Sequence, residues 1–149
     1  MALERTYVML KPGVLSRRIV GEIISRIERK GFDIVGLKIM RISRDLAEQH
    51  YAEHRDKPFF CGLIEYITSE PVVAMVLEGD NSVKMMRLLC GATSPEEALP
   101  GTIRGDYAMH TNFNIIHASD SSEAAAREIG LFFRPDELVD WSNENRNWI

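Results

Sequence analysis

The order in which apolar segments follow one another along the chain is the feature that most constrains the fold. Continuous or alternating apolar runs predict strands, and apolar residues three or four positions apart predict helices. The helical spacing is clearest at 19–30, where Ile19, Ile23 and Ile27 share one face and Lys30 and Gly31 supply a basic last turn and a glycine stop. The other segments predict strands at 5–10, 35–39, 71–77 and 114–117, helices at 83–89 and 120–130, an irregular helical stretch at 45–67 and a polar loop at 95–105.

This order predicts a ferredoxin-like fold. Strand, helix, strand, strand, helix, strand is the split βαβ pattern, here with helices added to it. We therefore expect an α+β protein in which helices cover a four-stranded antiparallel sheet. The chain has 149 residues, a length for which one core is the default, and it shows no repeat, low-complexity tract or linker. A single domain over residues 1–149 is expected.

Charge and hydropathy narrow the partners and the location. The net charge of −4 repels a polyanion unless basic residues cluster strongly, so a nucleic acid is not expected as the main partner. The longest apolar stretch, 71–77, is far shorter than the ~20 residues of a membrane helix. The first residues also lack the apolar core of a signal peptide. We therefore expect a cytoplasmic protein that does not bind membranes.

The segment 114–120 carries the most specific chemical signal. His117 ends an apolar strand and stands directly before a predicted helix, whose free N–H groups and dipole favour a nearby phosphate. A neutral imidazole is a good nucleophile at pH 7. Glu128, eleven residues further on in the same predicted helix, is placed to fix the ring tautomer. From spacing alone, a structural histidine held by its neighbours is the commoner outcome.

Basic and aromatic residues in turn segments give a second signal. Lys11 lies in Lys-Pro-Gly and Arg104 in a glycine-containing loop, where backbone and charge can approach a polyphosphate. Taken singly, each of these, like Arg87 on its helix, is more often a solvated surface charge. Phe59 is either a core anchor or an exposed ring that stacks on a base without choosing among bases. The i, i+4 pair of histidines at 50 and 54 is interpreted as a surface helix face without a metal-ligand pattern.

Three motifs together resemble the nucleoside diphosphate kinase family: Asn-Ile-Ile-His-Ala-Ser-Asp-Ser at 114–121, Pro-Gly-Thr-Ile-Arg-Gly-Asp at 100–106 and Met-Leu-Lys-Pro-Gly at 9–13. The likeness runs over essentially the whole chain. It implies a ferredoxin-like core and a ping-pong reaction that moves the γ-phosphate of a nucleoside triphosphate, typically ATP, to a nucleoside diphosphate through a phosphohistidine on Nδ1 of His117. It also implies Mg²⁺ as cofactor, held mainly by nucleotide phosphates and water rather than by direct protein ligands.

The resemblance assigns a role to each matching position. His117 matches the nucleophile, Glu128 the carboxylate that orients it, and Lys11 a catalytic cation. The family's contacts to nucleotide match Lys11, Tyr51, Phe59, Arg87, Thr93, Arg104 and Asn114, with Ser119 and Asp120 in supporting positions. A homo-oligomer is implied, and the loop containing Pro95 together with the C-terminal tail favours a hexamer over a tetramer.

Some positions depart from the family pattern. Ala118 stands where glycine is common, and Asn112 and Phe113 stand where Gly-Arg is common. Strict strand alternation would also place Asn114 and His117 on opposite faces, so a bulge or an early strand end is expected between them.

Two other functions remain open at this stage. A phosphohistidine phosphatase would form the same covalent intermediate and pass its phosphate to water. A non-catalytic module that binds nucleotides or single strands would share the fold, although the acidic balance argues against it.

Overall fold

The computed structural model describes residues 3–149, and the predicted fold class is confirmed. Four strands form one antiparallel sheet in the order β2-β3-β1-β4. The strands are β1 (Leu3–Leu10), β2 (Asp33–Met40), β3 (Val72–Asp80) and β4 (Ile116–Ala118), and the helices are α1 (Val20–Lys30), α2 (Arg44–His50), α3 (Phe60–Ser69), α4 (Ser82–Cys90), α5 (Ile103–Tyr107) and α6 (Ser122–Phe132). Short 3₁₀ helices lie at Ala52–His54, Thr111–Phe113, Pro135–Glu137 and Arg146–Trp148.

Helices cover both faces of the sheet, which explains why its central strands are apolar at almost every position. Val8 and Leu10 of β1 face a core completed by α1 and α4, whereas Tyr7 and Met9 face a second core completed by α2, α3 and α6. The run from Val72 to Leu77 in β3 is buried throughout for the same reason. None of the helices within residues 3–149 is long and apolar enough to cross a membrane.

Several predicted element ends were wrong. Strand β3 continues beyond its predicted end at residue 77, since Asp80 still pairs with Leu3. Helix α6 begins at Ser122 and not at the predicted residue 120, because Ser121 caps it by accepting a hydrogen bond from the Ala124 N–H (3.0 Å). Helix α5 begins at Ile103, inside the predicted polar loop at 95–105.

The entry into β4 resolves the conflict between Asn114 and His117. The strand begins at Ile116 rather than at Asn114, and Ile115 before it has a left-handed backbone with φ +63°. This conformation is uncommon for a β-branched residue. The Ile115 side chain is buried, and the Ile115 carbonyl accepts a hydrogen bond from the Lys11 N–H (2.8 Å). These two interactions hold the turn in place. The break expected between Asn114 and His117 is therefore found, but as a late strand start at Ile116 and not as an early strand end.

Candidate functional site

His117 and Glu128 face each other across the junction of β4 and α6. His117 Nε2 lies 2.9 Å from Glu128 Oε1, and the Ser119 hydroxyl donates to the same oxygen at 2.6 Å. Burial alone would raise the pKa of Glu128, but hydrogen bonds from His117 and Ser119 outweigh it and hold that pKa below its ordinary value. An ionised Glu128 only accepts hydrogen bonds, so Nε2 carries the proton of the neutral ring. Nδ1 therefore keeps the lone pair.

Ser119 is fixed by the sheet, and it fixes Glu128 in turn. Its N–H donates to the Tyr7 carbonyl at 3.1 Å, which extends the pairing of β4 with β1 by one residue. Its side chain is fully buried against α6. The backbone of one strand thus sets the position of the carboxylate that orients His117.

His117 opens into a cavity of about 510 Å³. The cavity is bounded by the end of α2, the following 3₁₀ turn, β4 and the first two turns of α6. Of the residues predicted to form the site, Tyr51, Arg87, His117, Asp120 and Glu128 line it. The other lining residues are His50, Glu53, His54, Ala118, Ser121, Glu123, Ala124 and Arg127.

Arg87 brings a cation to the cavity from α4. Its guanidinium donates to the Ala118 carbonyl at 3.3 Å, one residue from His117, while most of the side chain is exposed. Arg127 on α6 lies 3.8 Å from the second oxygen of Glu128. Two exposed positive charges therefore stand beside the histidine, where an anionic ligand would meet them.

Lys11 and Asn114 form a hydrogen-bonded pair at the other end of β4. Lys11 Nζ donates to Asn114 Oδ1 at 2.7 Å, and the Asn114 amide donates to the Thr93 carbonyl at 3.2 Å. Burial, followed by the charge of Arg104, lowers the pKa of Lys11 to about 8. The predicted contacts Lys11, Thr93 and Asn114 are thus brought together, beside the cavity rather than on its wall.

Arg104 is buried and bound to the backbone of its own chain. Its guanidinium donates to the carbonyls of Ile116 (2.6 Å) and Gly91 (2.9 Å) and is 5% exposed. Burial, followed by the charge of Arg87, lowers its pKa from the usual value. Arg104 therefore clamps the loop after α4 to β4.

Phe59 lies outside the cavity wall. Its ring is 51% exposed and its centroid is 5.5 Å from that of His54, which does line the cavity. The side chain is therefore an exposed ring and not a core anchor, one of the two alternatives left open by the sequence.

The interpretation of His50 as part of a surface helix face was wrong. His50 is buried, because it shares a face of α2 with Ala47, and its ring stands edge-on to that of His117 at a centroid distance of 4.9 Å. Burial, followed by the charge that His117 can carry, lowers the pKa of His50 to about 3. The three-residue spacing of Ala47 and His50 was the available signal. Nothing in the sequence pattern pointed to Arg127 or Glu123, because both lie on the exposed side of an ordinary amphipathic helix.

Comparisons with known proteins agree with this geometry. The model of the family "Nucleoside diphosphate kinase" matches residues 4–138. A nucleoside diphosphate kinase of Archaeoglobus fulgidus is 56% identical over 147 residues, covering 99% of this chain and 97% of that protein. One from Thermus thermophilus is 61% identical over 137 residues, covering 92% and 100%.

Solved structures give the same result. The structure of a halophilic nucleoside diphosphate kinase from Halobacterium salinarum in complex with CDP superposes with a TM-score of 0.95 at 52% identity, covering 99% of this chain and 98% of that one. A nucleoside diphosphate kinase family protein from Babesia bovis gives 0.94 at 47% identity, covering 97% and 98%. The chain therefore belongs to the nucleoside diphosphate kinase family and is a phosphotransferase that moves the terminal phosphate of a nucleoside triphosphate to a nucleoside diphosphate.

Proposed function

We propose that His117 Nδ1 is the atom that carries the phosphate between the two nucleotides. The observation behind this proposal is the contact between His117 Nε2 and Glu128 Oε1 at 2.9 Å, which leaves Nδ1 with the free lone pair in a ring that lines the cavity. A histidine held in one tautomer by a buried carboxylate is the arrangement that nucleophilic catalysis requires.

The reaction then proceeds in two matched halves. The Nδ1 lone pair attacks the γ-phosphorus, and the bond to the bridging oxygen breaks so that the diphosphate leaves with its electron pair. In the second half, a terminal oxygen of another diphosphate attacks the same phosphorus and the P–N bond breaks. The proton stays on His117 Nε2 throughout and is hydrogen-bonded to Glu128. The charge of Glu128 stabilises the imidazole ring while the ring is positively charged.

Arg87, Lys11 and Arg104 supply positive charge to the phosphates in this proposal. Arg87 is the most accessible of the three and lies one residue from His117. Lys11 approaches from β1 and is held by Asn114 at 2.7 Å. Arg104 binds the backbone of β4, and its positive charge acts on the phosphates through its electrostatic field. Such fixed charges favour a transition state whose charge spreads over the transferred oxygens.

Mg²⁺ fits this site as a substrate-borne cofactor. The cavity carries the exposed carboxylate of Asp120, a hard oxygen donor suited to water around Mg²⁺, while the nucleotide phosphates supply direct ligands. When bound, the ion would offset phosphate charge and hold the β- and γ-phosphates in one geometry.

We assign sugar and base recognition to residues on the cavity wall and beside it. Tyr51, Thr93 and Asn114 offer polar groups to phosphate and ribose, and the half-exposed ring of Phe59 offers a stacking surface. Stacking accepts any base, because every base has a π-face. The Halobacterium salinarum relative was solved with CDP, which supports a site open to pyrimidines.

We also propose a cytoplasmic hexamer built from one domain per chain. The family resemblance implies a homo-oligomer, and a hexamer with two kinds of symmetry axis needs two separate contact surfaces on each chain. Two apolar surfaces are available: Leu37 and Ile39 on the edge strand β2, and Leu99, Met109 and Phe113 around α5. Light scattering of the purified protein, with a charged residue introduced on each surface in turn, tests this part.

Transfer of label from γ-labelled ATP distinguishes this function from its alternatives. The protein is first incubated with labelled ATP and Mg²⁺, separated from nucleotide, and then given unlabelled diphosphates. We expect the label to appear in the newly formed triphosphate. Release as free phosphate at the same rate with and without diphosphate would instead identify a phosphatase, and failure to take up label would identify a binding module.

A further inference from the structure

His50 is a buried imidazole that the proposed transfer reaction leaves without a role. Its side chain is 4% exposed, and neither ring nitrogen has a hydrogen-bond partner within residues 3–149. Buried polar groups in native proteins nearly always have partners, so an unpaired ring at the floor of a cavity suggests that a ligand supplies one. A neutral imidazole offers one lone pair to such a ligand.

Two more ligating groups face this ring. One atom each from His50, His117 and Glu128 lie within 4.8 Å of one another. In a tetrahedral zinc site the ligand atoms are about 3.4 Å apart, since each lies about 2.0–2.1 Å from the metal. Glu128 Oε1 and His117 Nε2 are already 2.9 Å apart. A shift of at most about 1.4 Å in the His50 ring therefore brings its nitrogen from 4.8 Å to the ligand spacing.

We propose that His50, His117 and Glu128 form a binding site for Zn²⁺ or a similar divalent cation that prefers imidazole nitrogen. The three ligands leave a fourth position toward the cavity, which all three residues line. This site is distinct from that of Mg²⁺, which favours oxygen ligands and keeps several waters. The ion and the nucleotide would enter by the same opening.

Zinc bound here would switch off the nucleophile. A neutral imidazole has one ring proton, so a metal on His117 Nε2 moves that proton to Nδ1 and removes the attacking lone pair. Glu128 would at the same time give up its hydrogen bond to the ring in exchange for the metal. Zinc bound to Nε2 therefore blocks phosphorylation of His117 at Nδ1. This consequence rests on the proposed function, whereas zinc binding itself does not.

Calorimetric titration of the nucleotide-free full chain with Zn²⁺ tests the site. We expect one Zn²⁺ per chain, with affinity at least tenfold weaker in His50→Asn. The matched control is His54→Asn, because His54 lines the same cavity but is not part of the ligand group. Its affinity should equal that of the unsubstituted chain. An unchanged affinity in His50→Asn, or an equal loss in both variants, would overturn the proposal.

A second measurement uses the unsubstituted chain, because replacing a buried side chain can disturb the fold. The sequence contains four histidines, and Zn²⁺ should shift the ring resonances of His50 and His117 in the NMR spectrum. With Mg²⁺ in excess, Zn²⁺ should also slow phosphorylation of His117, and EDTA added as its magnesium complex should restore the rate. Binding without slowing would count against His117 Nδ1 as the carrier and leave the zinc site intact, whereas zinc shifts confined to His54 and His110 would contradict the site itself.

Discussion

The two ends of β4 use charged side chains in different ways. At its start, Arg104 and Lys11 are bound to groups of the protein itself, the first to two backbone carbonyls and the second to Asn114. At its end, His117 is held on one side only, by Glu128, and its side chain remains 22% exposed toward the cavity. A charge bound to the backbone shapes the site and cannot move, whereas a side chain held at one atom can react through another.

This difference predicts that changes at the two ends will alter different quantities. Residues at the start of β4 should affect the free energy of unfolding and the rate together. Residues at its end, and those of the cavity wall, should affect the rate with little change in stability. Each of the following predictions tests that separation.

The largest separation is expected between two arginines. Arg104→Leu should lower the free energy of unfolding by about 2–4 kcal/mol, because it leaves the buried carbonyls of Gly91 and Ile116 without a donor. It should also abolish most transfer activity. Arg87→Leu should cost less than about 1 kcal/mol, since it loses one partly exposed hydrogen bond to Ala118, yet it should still lower kcat/KM. Urea unfolding and steady-state kinetics on both variants check this. Equal losses of stability would contradict the comparison.

Glu128→Gln should reduce kcat by about tenfold, because a hydrogen bond to a charged group is worth about 1–1.5 kcal/mol more than one between neutral groups. The amide oxygen still accepts the proton of His117 Nε2, but it no longer stabilises the ring when that ring becomes positive. Glu123→Gln is the control, because Glu123 lies in the same helix and lines the same cavity. Its kcat should stay close to that of the unsubstituted enzyme. If both changes had the same effect, orientation by Glu128 would not be supported.

The pH profile of kcat/KM should report Lys11. Its pKa is lowered by burial to about 8, so the side chain loses its charge, and with it a phosphate contact, as pH rises through 8. Lys11→Arg should move this decline to higher pH, because arginine stays charged. Rising pH has the opposite effect on stability to its effect on kcat/KM. The unfolded chain holds this proton up to about pH 10.5, so the contribution of Lys11 to the free energy of unfolding rises between pH 8 and 10.5. If kcat/KM of Lys11→Arg still declined at the same pH, the decline would belong to a titrating group other than Lys11.

The smallest effect is expected at Phe59. Loss of a half-exposed stacking surface should cost about 1 kcal/mol of nucleotide binding, the lower end of the range for a stacked base. Phe59→Ala should therefore raise KM to a similar extent for purine and pyrimidine diphosphates, with kcat and stability almost unchanged. A loss confined to one base class would show that Phe59 selects among bases.

The sequence predicted the sheet well, because periodicity is a local property. The spacing of the isoleucines predicted helix α1, and the continuous apolar run predicted strand β3. Pairing is not local. The end of β3 was missed because the partners of Glu78, Gly79 and Asp80 lie in β1, more than 70 residues away. α5 was missed because five residues around Gly105 show no helical repeat.

The site was less predictable than the fold. Position by position, the motifs supplied His117, Glu128 and the cations, but motifs do not tell which side chains reach a cavity and which are bound inside the protein. Arg104 and Arg87 look alike in the sequence, and only the burial of Arg104 separates their roles. His50 was misjudged because its burial depends on the packing of α2 against α6, which brings its ring to Phe132 at 5.2 Å.

Phosphorylation of His117 is the central claim, and the stability of the labelled enzyme tests it most directly. After incubation with γ-labelled ATP and Mg²⁺, the denatured protein should lose its label in acid and keep it in alkali, because a phosphorus–nitrogen bond to histidine is acid-labile. His117→Asn should still bind nucleotide through Arg87 and its neighbours, but it should take up no label and transfer no phosphate. An acid-labile label, or near-normal transfer, in a His117→Asn preparation free of unsubstituted enzyme would contradict the account.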